Sequence, residues 1–260
     1  MNDVWLKDTL PQILDIAYEA ASAIMQVYAV GFEIETKADA SPVTDADKAA
    51  NAVILKRLQA LPVRMPILSE EGGETFTGPD SAGRYWLIDP LDGTKEFIKR
   101  NGEFSVNIAL IEQGRPVLGV IVAPVTQLAY VGASGVGAFK IEPGRPWEPL
   151  HTTGKPSPDA VWRVMGSRSH ANPQLESWLA ALGPHETTRM GSSLKFGVIA
   201  EGHADAYPRL GPTSLWDTAA AQAILEQADG CILTLDGTPL SYAAPTQTLN
   251  PSFVAWGFRP

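Results

Sequence analysis

The sequence predicts an α+β chain in two halves, and three observations carry that prediction. A helical period opens the chain, four strand-like segments then follow in series, and beyond a Pro- and Gly-rich stretch at 143–158 strands alternate with helices. That stretch sets the expected boundary. An N-terminal α+β domain with an antiparallel sheet is expected over 1–148, and a C-terminal α/β domain over 149–260.

At 260 residues, the chain can build one large core or two modest ones. Its 45% hydrophobic and 19% charged residues describe a globular protein, not a disordered one. The net charge of -9 argues against nucleic acid and anionic lipid as partners, since both need a broad basic footprint. A small phosphorylated substrate stays compatible, because metal ions can meet its charge locally. Cys231 is the one cysteine, so no intrachain disulfide and no cysteine-rich zinc site is expected. The opening Met-Asn-Asp-Val-Trp-Leu-Lys-Asp lacks the basic and apolar parts of a signal peptide, which gives a cytoplasmic expectation. No run approaches the length of a membrane span.

In chain order, Leu10 to Tyr28 has a helical period through Ile13, Leu14, Ala17, Ala20, Ala21, Ile24 and Val27, with Pro11 suited to its first turn and Gly31 past its end. Phe32 to Lys37 alternates as a short strand. Within Ser41-Pro-Val-Thr-Asp-Ala-Asp-Lys48, Thr44 or Asp45 can cap a helix reaching about Leu61, and Asp47 falls in its first turn. Taken alone, Asp47 is better explained by the helix dipole than by chemistry. Pro66 to Gly73 is a short apolar strand ending in Glu70 and Glu71, of which extended backbone can turn only one towards a given site. Phe104–Glu112, Val117–Val122, Leu128–Val131 and Gly137–Ile141 read as a meander. Val161–Gly166, His185–Arg189, Asp205–Tyr207 and Cys231–Leu235 read as strands, and Pro173–Leu182, Ser193–Glu201 and Thr218–Ala228 as helices. The four histidines, His151, His170, His185 and His203, show no paired ligand spacing.

The most informative stretch is Trp86-Leu-Ile-Asp-Pro-Leu-Asp-Gly-Thr-Lys-Glu-Phe97. A buried strand over Tyr85–Ile88 is expected to stop at Pro90 and Gly93, leaving Asp89 and Asp92 where side chains are fixed yet open. Close carboxylates repel unless a proton or cation lies between them. Asp89, the Leu91 carbonyl and Asp92 could therefore edge a hard-cation site. An Asx-rich turn capping a helix near Thr94 explains the same residues equally well. Glu70, delivered by a second strand end, shifts the balance towards metal. Gly191-Ser-Ser-Leu-Lys-Phe-Gly197 offers an anion site with Lys195, or ordinary capping by Ser192 or Ser193, and capping is the stronger reading in isolation. The same holds for Asp217 in Leu215-Trp-Asp-Thr-Ala-Ala220.

Taken together, Asp47 after Thr44, Glu70, Asp89 and Asp92 with Gly93-Thr94, and Asp217 after Trp216 resemble the signature of the inositol monophosphatase superfamily of Mg2+-dependent, lithium-sensitive phosphatases. The likeness runs from about residue 40 to the C-terminus and is specific in the order and separation of WLIDPLDGT and LWDTAAA. Lys95 in its surrounding run, Gly-Ser-Arg-Ser-His at 166–170 and the Gly191 turn are similar to the branch of bacterial 3'(2'),5'-bisphosphate nucleotidases. The resemblance implies a layered α-β-α-β-α sandwich. It implies one Mg2+ on Glu70, Asp89 and the Leu91 carbonyl, a second on Asp89, Asp92 and Asp217, and room for a third near Glu70. Thr94 and Asp47 would orient and deprotonate the attacking water. Substrate would touch Glu70, Leu91, Asp92, Gly93, Thr94, Gly191, Ser192, Lys195, Arg209 and Asp217, with Arg168 a further candidate for a second phosphate.

The implied activity is hydrolysis of the 3'-phosphate of adenosine 3',5'-bisphosphate to AMP, a by-product removal in sulfate assimilation, with 3'-phosphoadenylyl sulfate a second substrate to consider. Superfamily members are often homodimers, and the branch associates loosely with the cytoplasmic face of the inner membrane. Nothing basic or amphipathic in the chain explains that association. Rival readings are an inositol monophosphatase or sugar bisphosphatase of the same superfamily, and a non-catalytic acidic metal-binding protein. The last gives no reason for Thr94 beside Asp47. A dinucleotide-binding enzyme is discarded, because no G-x-G-x-x-G follows an early strand.

Overall fold

Helix α1 (Asp3–Val30) starts two turns before its apolar period suggests, because the Asn2 side chain accepts a hydrogen bond from Trp5 N–H at 2.9 Å and caps it there. Pro11 thus lies inside the helix rather than in its first turn, on the exposed side, where its missing N–H costs one bond to the Lys7 carbonyl. A computed structural model describes residues 2–36, 42–72, 75–168 and 173–260. The readings made at Lys37, Ser41, Gly73, Ser169 and His170 lie outside the described residues. By length and composition α1 could cross a membrane, but Leu10, Ile13, Ala17, Ala20 and Ile24 are buried in the protein's own core.

Strands β1 (Ile34–Thr36) and β2 (Pro42–Thr44) form a small antiparallel pair that leads into α2 (Asp45–Gln59). A seven-stranded sheet follows, in the order β3 (Ile67–Ser69), β4 (Arg84–Asp92), β5 (Ser105–Glu112), β6 (Arg115–Ala123), β7 (Leu128–Ala133), β8 (Gly137–Ile141) and β9 (Glu148–Pro149). Only β3 and β4 pair in parallel; the rest is the expected meander. The turn from β5 to β6 places Gln113 and Gly114 at φ 52° and 74°, the left-handed pair that matches the twist of a tight hairpin. Strand β4 does not stop at Pro90. It runs on to Asp92 with its register to β5 shifted between Asp89 and Asp92, and a five-residue helix α3 (Thr94–Ile98) follows.

The second sheet has the order β11 (His185–Met190), β10 (Trp162–Ser167), β12 (Ala206–Arg209), β14 (Phe253–Trp256), β13 (Cys231–Thr234). Strand β10 pairs in parallel with β11 and β12, across α4 (Pro173–Leu182) and α5 (Leu194–Ala200). Strand β14 lies antiparallel between β12 and β13. Helix α6 (Ala219–Gln227) completes the set.

Alternation along the strands sorts the cores. Trp86, Ile88, Val106, Ile108, Leu118 and Val120 face α1 and α2, while Tyr85, Leu87, Ile111 and Ile121 face α5, α6 and the second sheet. On the far side of that sheet, Trp178 of α4 packs on Trp256 with ring centroids 5.8 Å apart. The layers therefore run helix, sheet, helix, sheet, helix. Two glycines allow the central contact. A Cβ on Gly119 would come within 2.2 Å of the Ala220 carbonyl, and one on Gly132 within 2.8 Å of the Ile224 backbone. Small residues there let α6 lie flat on the sheet.

Candidate active site

Three chain segments end at one cleft of about 420 Å³, where the two sheets meet. The register shift at the end of β4 turns Asp89 inward, to 1% exposure, and leaves Asp92 half-buried. Asp217 comes from the other half, on a 3-10 turn at Leu215–Asp217. Its carboxylate accepts a hydrogen bond from Ser214 N–H at 2.9 Å, inside a capping box. Asp217 therefore does not cap α6; Thr218 holds that position. One oxygen from each of Asp89, Asp92 and Asp217 lies within 4.8 Å of the others. Glu70, at the end of β3, lines the same cleft with the Leu91 backbone. Glu71 is not among the residues that line it, and its backbone N–H donates to the Ser69 hydroxyl at 3.1 Å.

Removal from water is the main reason these groups resist ionisation. Burial, then the charges of Glu70, Asp92 and Asp217, push Asp89 well above the usual carboxylate range. Burial and the neighbouring Asp92 push Asp217 up to about 8. Burial pushes Asp92 up to about 6, against the opposing pull of Lys195 and the Ser193 N–H. So much negative charge is stable only with protons or cations among it. The donors are all oxygens, which suits a hard divalent cation and not a soft one. The residues present fit the metal that the family likeness implies.

Beside the cluster, Thr44 and Asp47 form the reciprocal capping box at the start of α2. Asp47 Oδ2 accepts from the Thr44 N–H at 2.8 Å and from its hydroxyl at 2.7 Å. That leaves Oδ1 to accept from the Thr94 hydroxyl at 3.2 Å. Asp47 is 2% exposed, and burial raises its pKa. Gly93, with φ 93°, holds the N-cap position of helix α3 and gives no side-chain cap, so neither aspartate of the motif serves as its cap. A Cβ on Gly93 would press on the Glu103 carbonyl at 3.1 Å and on Ser192 at 3.3 Å.

The opposite wall is the turn Gly191–Ser193, with Ser192 at φ 52°. Ser193 supplies no side-chain cap to α5; its hydroxyl donates to Asn107 Oδ1 at 2.7 Å and its N–H to Asp92 at 2.5 Å. Lys195 is 5% exposed, donates to the Ser192 carbonyl and lies 5.1 Å from the Tyr207 ring centre. Arg209 donates to Ser167 Oγ at 3.1 Å and the Pro212 carbonyl at 2.6 Å. Gly191, Ser192, Lys195 and Arg209 all line the cleft with Gly93 and Thr94. Asp47 is held just behind Thr94. Lys95 is exposed at the rim.

Other residues at the site carried no usable sign in the sequence. Glu96, next to Lys95, is 7% exposed and lines the cleft. Asn250 donates to the Ser214 carbonyl at 2.6 Å and to Thr218 Oγ1 at 3.0 Å, tying the C-terminal segment to the Asp217 turn. Ser105 reaches Ser192 at 3.0 Å and Ser193 at 2.8 Å. Only Ser214 was legible, as the first residue of an S-x-x-D capping box. Three of the histidines have local partners: His151 meets Asp229 at 3.2 Å, His185 the Gly183 carbonyl at 2.8 Å, and His203 Glu201 at 3.6 Å. Cys231 is buried and free, its thiol pushed up to about 11 by burial.

Known proteins resemble this chain over nearly its whole length. The profile of the inositol monophosphatase family matches residues 5–254. The chain is 48% identical to the 3'(2'),5'-bisphosphate nucleotidase CysQ of Escherichia coli O157:H7, over 94% of this chain and 98% of that one. It is 49% identical to the protein of the same name from Salmonella typhimurium, with the same coverage. Among solved structures, CysQ from Bacteroides thetaiotaomicron superimposes with a TM-score of 0.81 at 34% identity, covering 99% of this chain and 100% of that one. An inositol monophosphatase from Anabaena superimposes at 0.76 with 25% identity, covering 98% and 92%. With its five layers, its carboxylate cluster and a profile match spanning nearly its whole length, the chain belongs to the inositol monophosphatase family, whose members depend on metal.

Proposed function

We propose that the chain is a Mg2+-dependent 3'(2'),5'-bisphosphate nucleotidase that releases the 3'-phosphate of adenosine 3',5'-bisphosphate to give AMP. One observation carries the reading. The Thr94–Asp47 pair stands beside the Asp89, Asp92 and Asp217 cluster, in a cleft whose other wall carries cations. A protein that only stored metal would not need a hydroxyl aimed at a buried carboxylate. The substrate follows from the likeness to the CysQ nucleotidases over nearly their full length. 3'-Phosphoadenylyl sulfate carries the same 3'-phosphate and is open to the same chemistry.

Two Mg2+ ions are assigned to Glu70, Asp89, the Leu91 carbonyl, Asp92 and Asp217, with a third near Glu70. When bound, they supply Lewis acidity and neutralise the phosphoryl oxygens. The chain's own residues do the rest. Asp47 accepts a hydrogen bond from Thr94, so the Thr94 oxygen can accept one from water and pass a proton on to Asp47 Oδ1. Two hydrogen bonds from Thr44 hold Asp47 in that orientation, and burial makes it a stronger base than a free aspartate. Lys195 and Arg209 bring positive charge towards Asp92 and Asp217.

The test is phosphate release from adenosine 3',5'-bisphosphate and from inositol 1-phosphate with Mg2+, then with added Li+. The expected outcome is strong preference for the nucleotide and inhibition by lithium. Preference for the inositol ester would keep the mechanism and overturn the substrate. No release from either, with Mg2+ still bound, would leave a metal-binding protein.

A further inference from the structure

The face of the seven-stranded sheet that looks towards α5 and α6 is apolar at Tyr85, Leu87, Ala109 and Ile111, then turns polar at one end. There Ser105 and Asn107 of β5 are 0% and 1% exposed, and Asn107 stands directly opposite Asp89 of β4. A buried amide is costly unless its hydrogen bonds are made. Here they are half made. Asn107 Oδ1 accepts from the Ser193 hydroxyl at 2.7 Å and from the Ser105 hydroxyl at 3.3 Å, while Nδ2 has no partner among the described residues. An orphaned buried donor lowers stability, so stability alone does not call for asparagine at 107.

Hydrogen bonds lead from that amide to the carboxylate cluster. Ser193 belongs to the Gly191–Ser193 turn of the C-terminal half, and the single hydrogen of its hydroxyl goes to Asn107. Ser105 lies 2.8 Å from the same hydroxyl oxygen. Ser193 gives α5 no side-chain cap, so its hydroxyl is spent on β5. Its N–H donates to Asp92 at 2.5 Å. The residue before it, Ser192, has φ 52°, a left-handed backbone that a non-glycine residue keeps only where its surroundings hold it. Asn107 and Ser105 supply that hold from a central strand of the other half.

We propose that Asn107 is a positioning residue for the metal cluster. Through the Ser193 hydroxyl it holds the Ser193 N–H on Asp92, and so fixes how Asp92 is presented to Mg2+. This role rests on the Mg2+ reading of the cluster and deepens it. Outer partners that orient a metal ligand are worth about 10- to 100-fold in metal affinity. The test is calorimetric Mg2+ binding to the whole protein, with the Tm of the metal-free protein beside it. Asn107→Leu, of similar size but without an acceptor, and Ser193→Ala should each raise the Mg2+ Kd by that factor. The double variant should bind no more weakly than either single one, because both remove the same bond. Ser193→Thr, which keeps a hydroxyl, should restore most of the affinity. Phosphate release should need correspondingly more Mg2+, with kcat recovered at saturation. A fall in Tm with Mg2+ Kd unchanged would make Asn107 a structural residue only and overturn the assignment, as would losses in the two single variants that add. If Asn107→Leu does not fold, Asn107→Ser, with a side chain too short to reach Ser193, takes its place. A wild-type protein that binds no Mg2+ overturns the Mg2+ reading and this role with it, whereas unchanged affinity in the variants overturns this role alone.

Discussion

Asp217 shows how burial and crowding set chemistry at a single carboxylate. Its folded pKa, pushed to about 8, lies above the ~3.9 of a free aspartate, as does that of Asp92 at about 6. The folded metal-free protein holds protons that the unfolded chain has already released. Stability from this source is therefore fully present below about pH 4 and is lost as pH rises towards 8. Metal-free wild type should lose melting temperature between pH 5 and pH 8.5 relative to Asp217→Asn, and added Mg2+ should reverse the difference at the higher pH. Parallel Tm-against-pH curves for the two proteins would contradict the assignment. Asp47 is a different case. It is held by Thr44 and Thr94, so Asp47→Asn should cut kcat by about 10²- to 10⁴-fold, the usual worth of a general base, with little change in Mg2+ affinity measured by calorimetry. Neither role could be read from one residue. A capping aspartate and a catalytic one look alike in sequence; Asp47 is the first, and in the proposed mechanism it is also the second.

At the scale of elements, the apolar period of α1 and the strands of the meander were legible, because a helix or strand that buries one face must repeat at its own spacing. The errors fall where caps and turns override periodicity. Helix α1 begins at the Asn2 cap rather than at its first regular apolar turn, and β4 continues past Pro90 because its register shifts there. That shift delivers Asp89 and Asp92 to the cleft, so a strand whose end the sequence misplaces by one turn of chain is the one that builds the site. The contact between α6 and the sheet gives a test of packing. A Cβ on Gly119 meets backbone at 2.2 Å, which no rotamer change can relieve. Gly119→Ala should destabilise the fold by about 1–3 kcal/mol in chemical denaturation, the usual range for overpacking. A change under a few tenths of a kcal/mol would mean that α6 is not pressed on the strand.

Across the whole molecule, one face of the seven-stranded sheet shares its core with α5, α6 and the second sheet. Tyr85 of β4 donates to the Tyr242 carbonyl at 2.8 Å, and Tyr242 in turn donates to Gln222 of α6 at 3.0 Å. Neither half keeps its apolar face buried alone. Calorimetry should therefore show a single unfolding transition, moved upward by Mg2+, which at 100 times its Kd adds about 2.7 kcal/mol. Two resolved transitions would show instead that the halves unfold separately. The sequence by itself determined the order of elements, the α+β class and the family likeness, because those reside in local spacing: apolar periods, an acidic motif at a strand end, a glycine after it. It also named the carboxylates that now line or adjoin one cleft. Tertiary structure alone decided which partner each group meets. Asp217 reaches Asp89 across more than a hundred residues of chain, Glu103 reaches Arg168 between the two halves, and Asn250 ties the C-terminal segment to the Asp217 turn. Such contacts depend on how the layers stack. Stacking is set by the summed burial of two cores, and no local pattern records it.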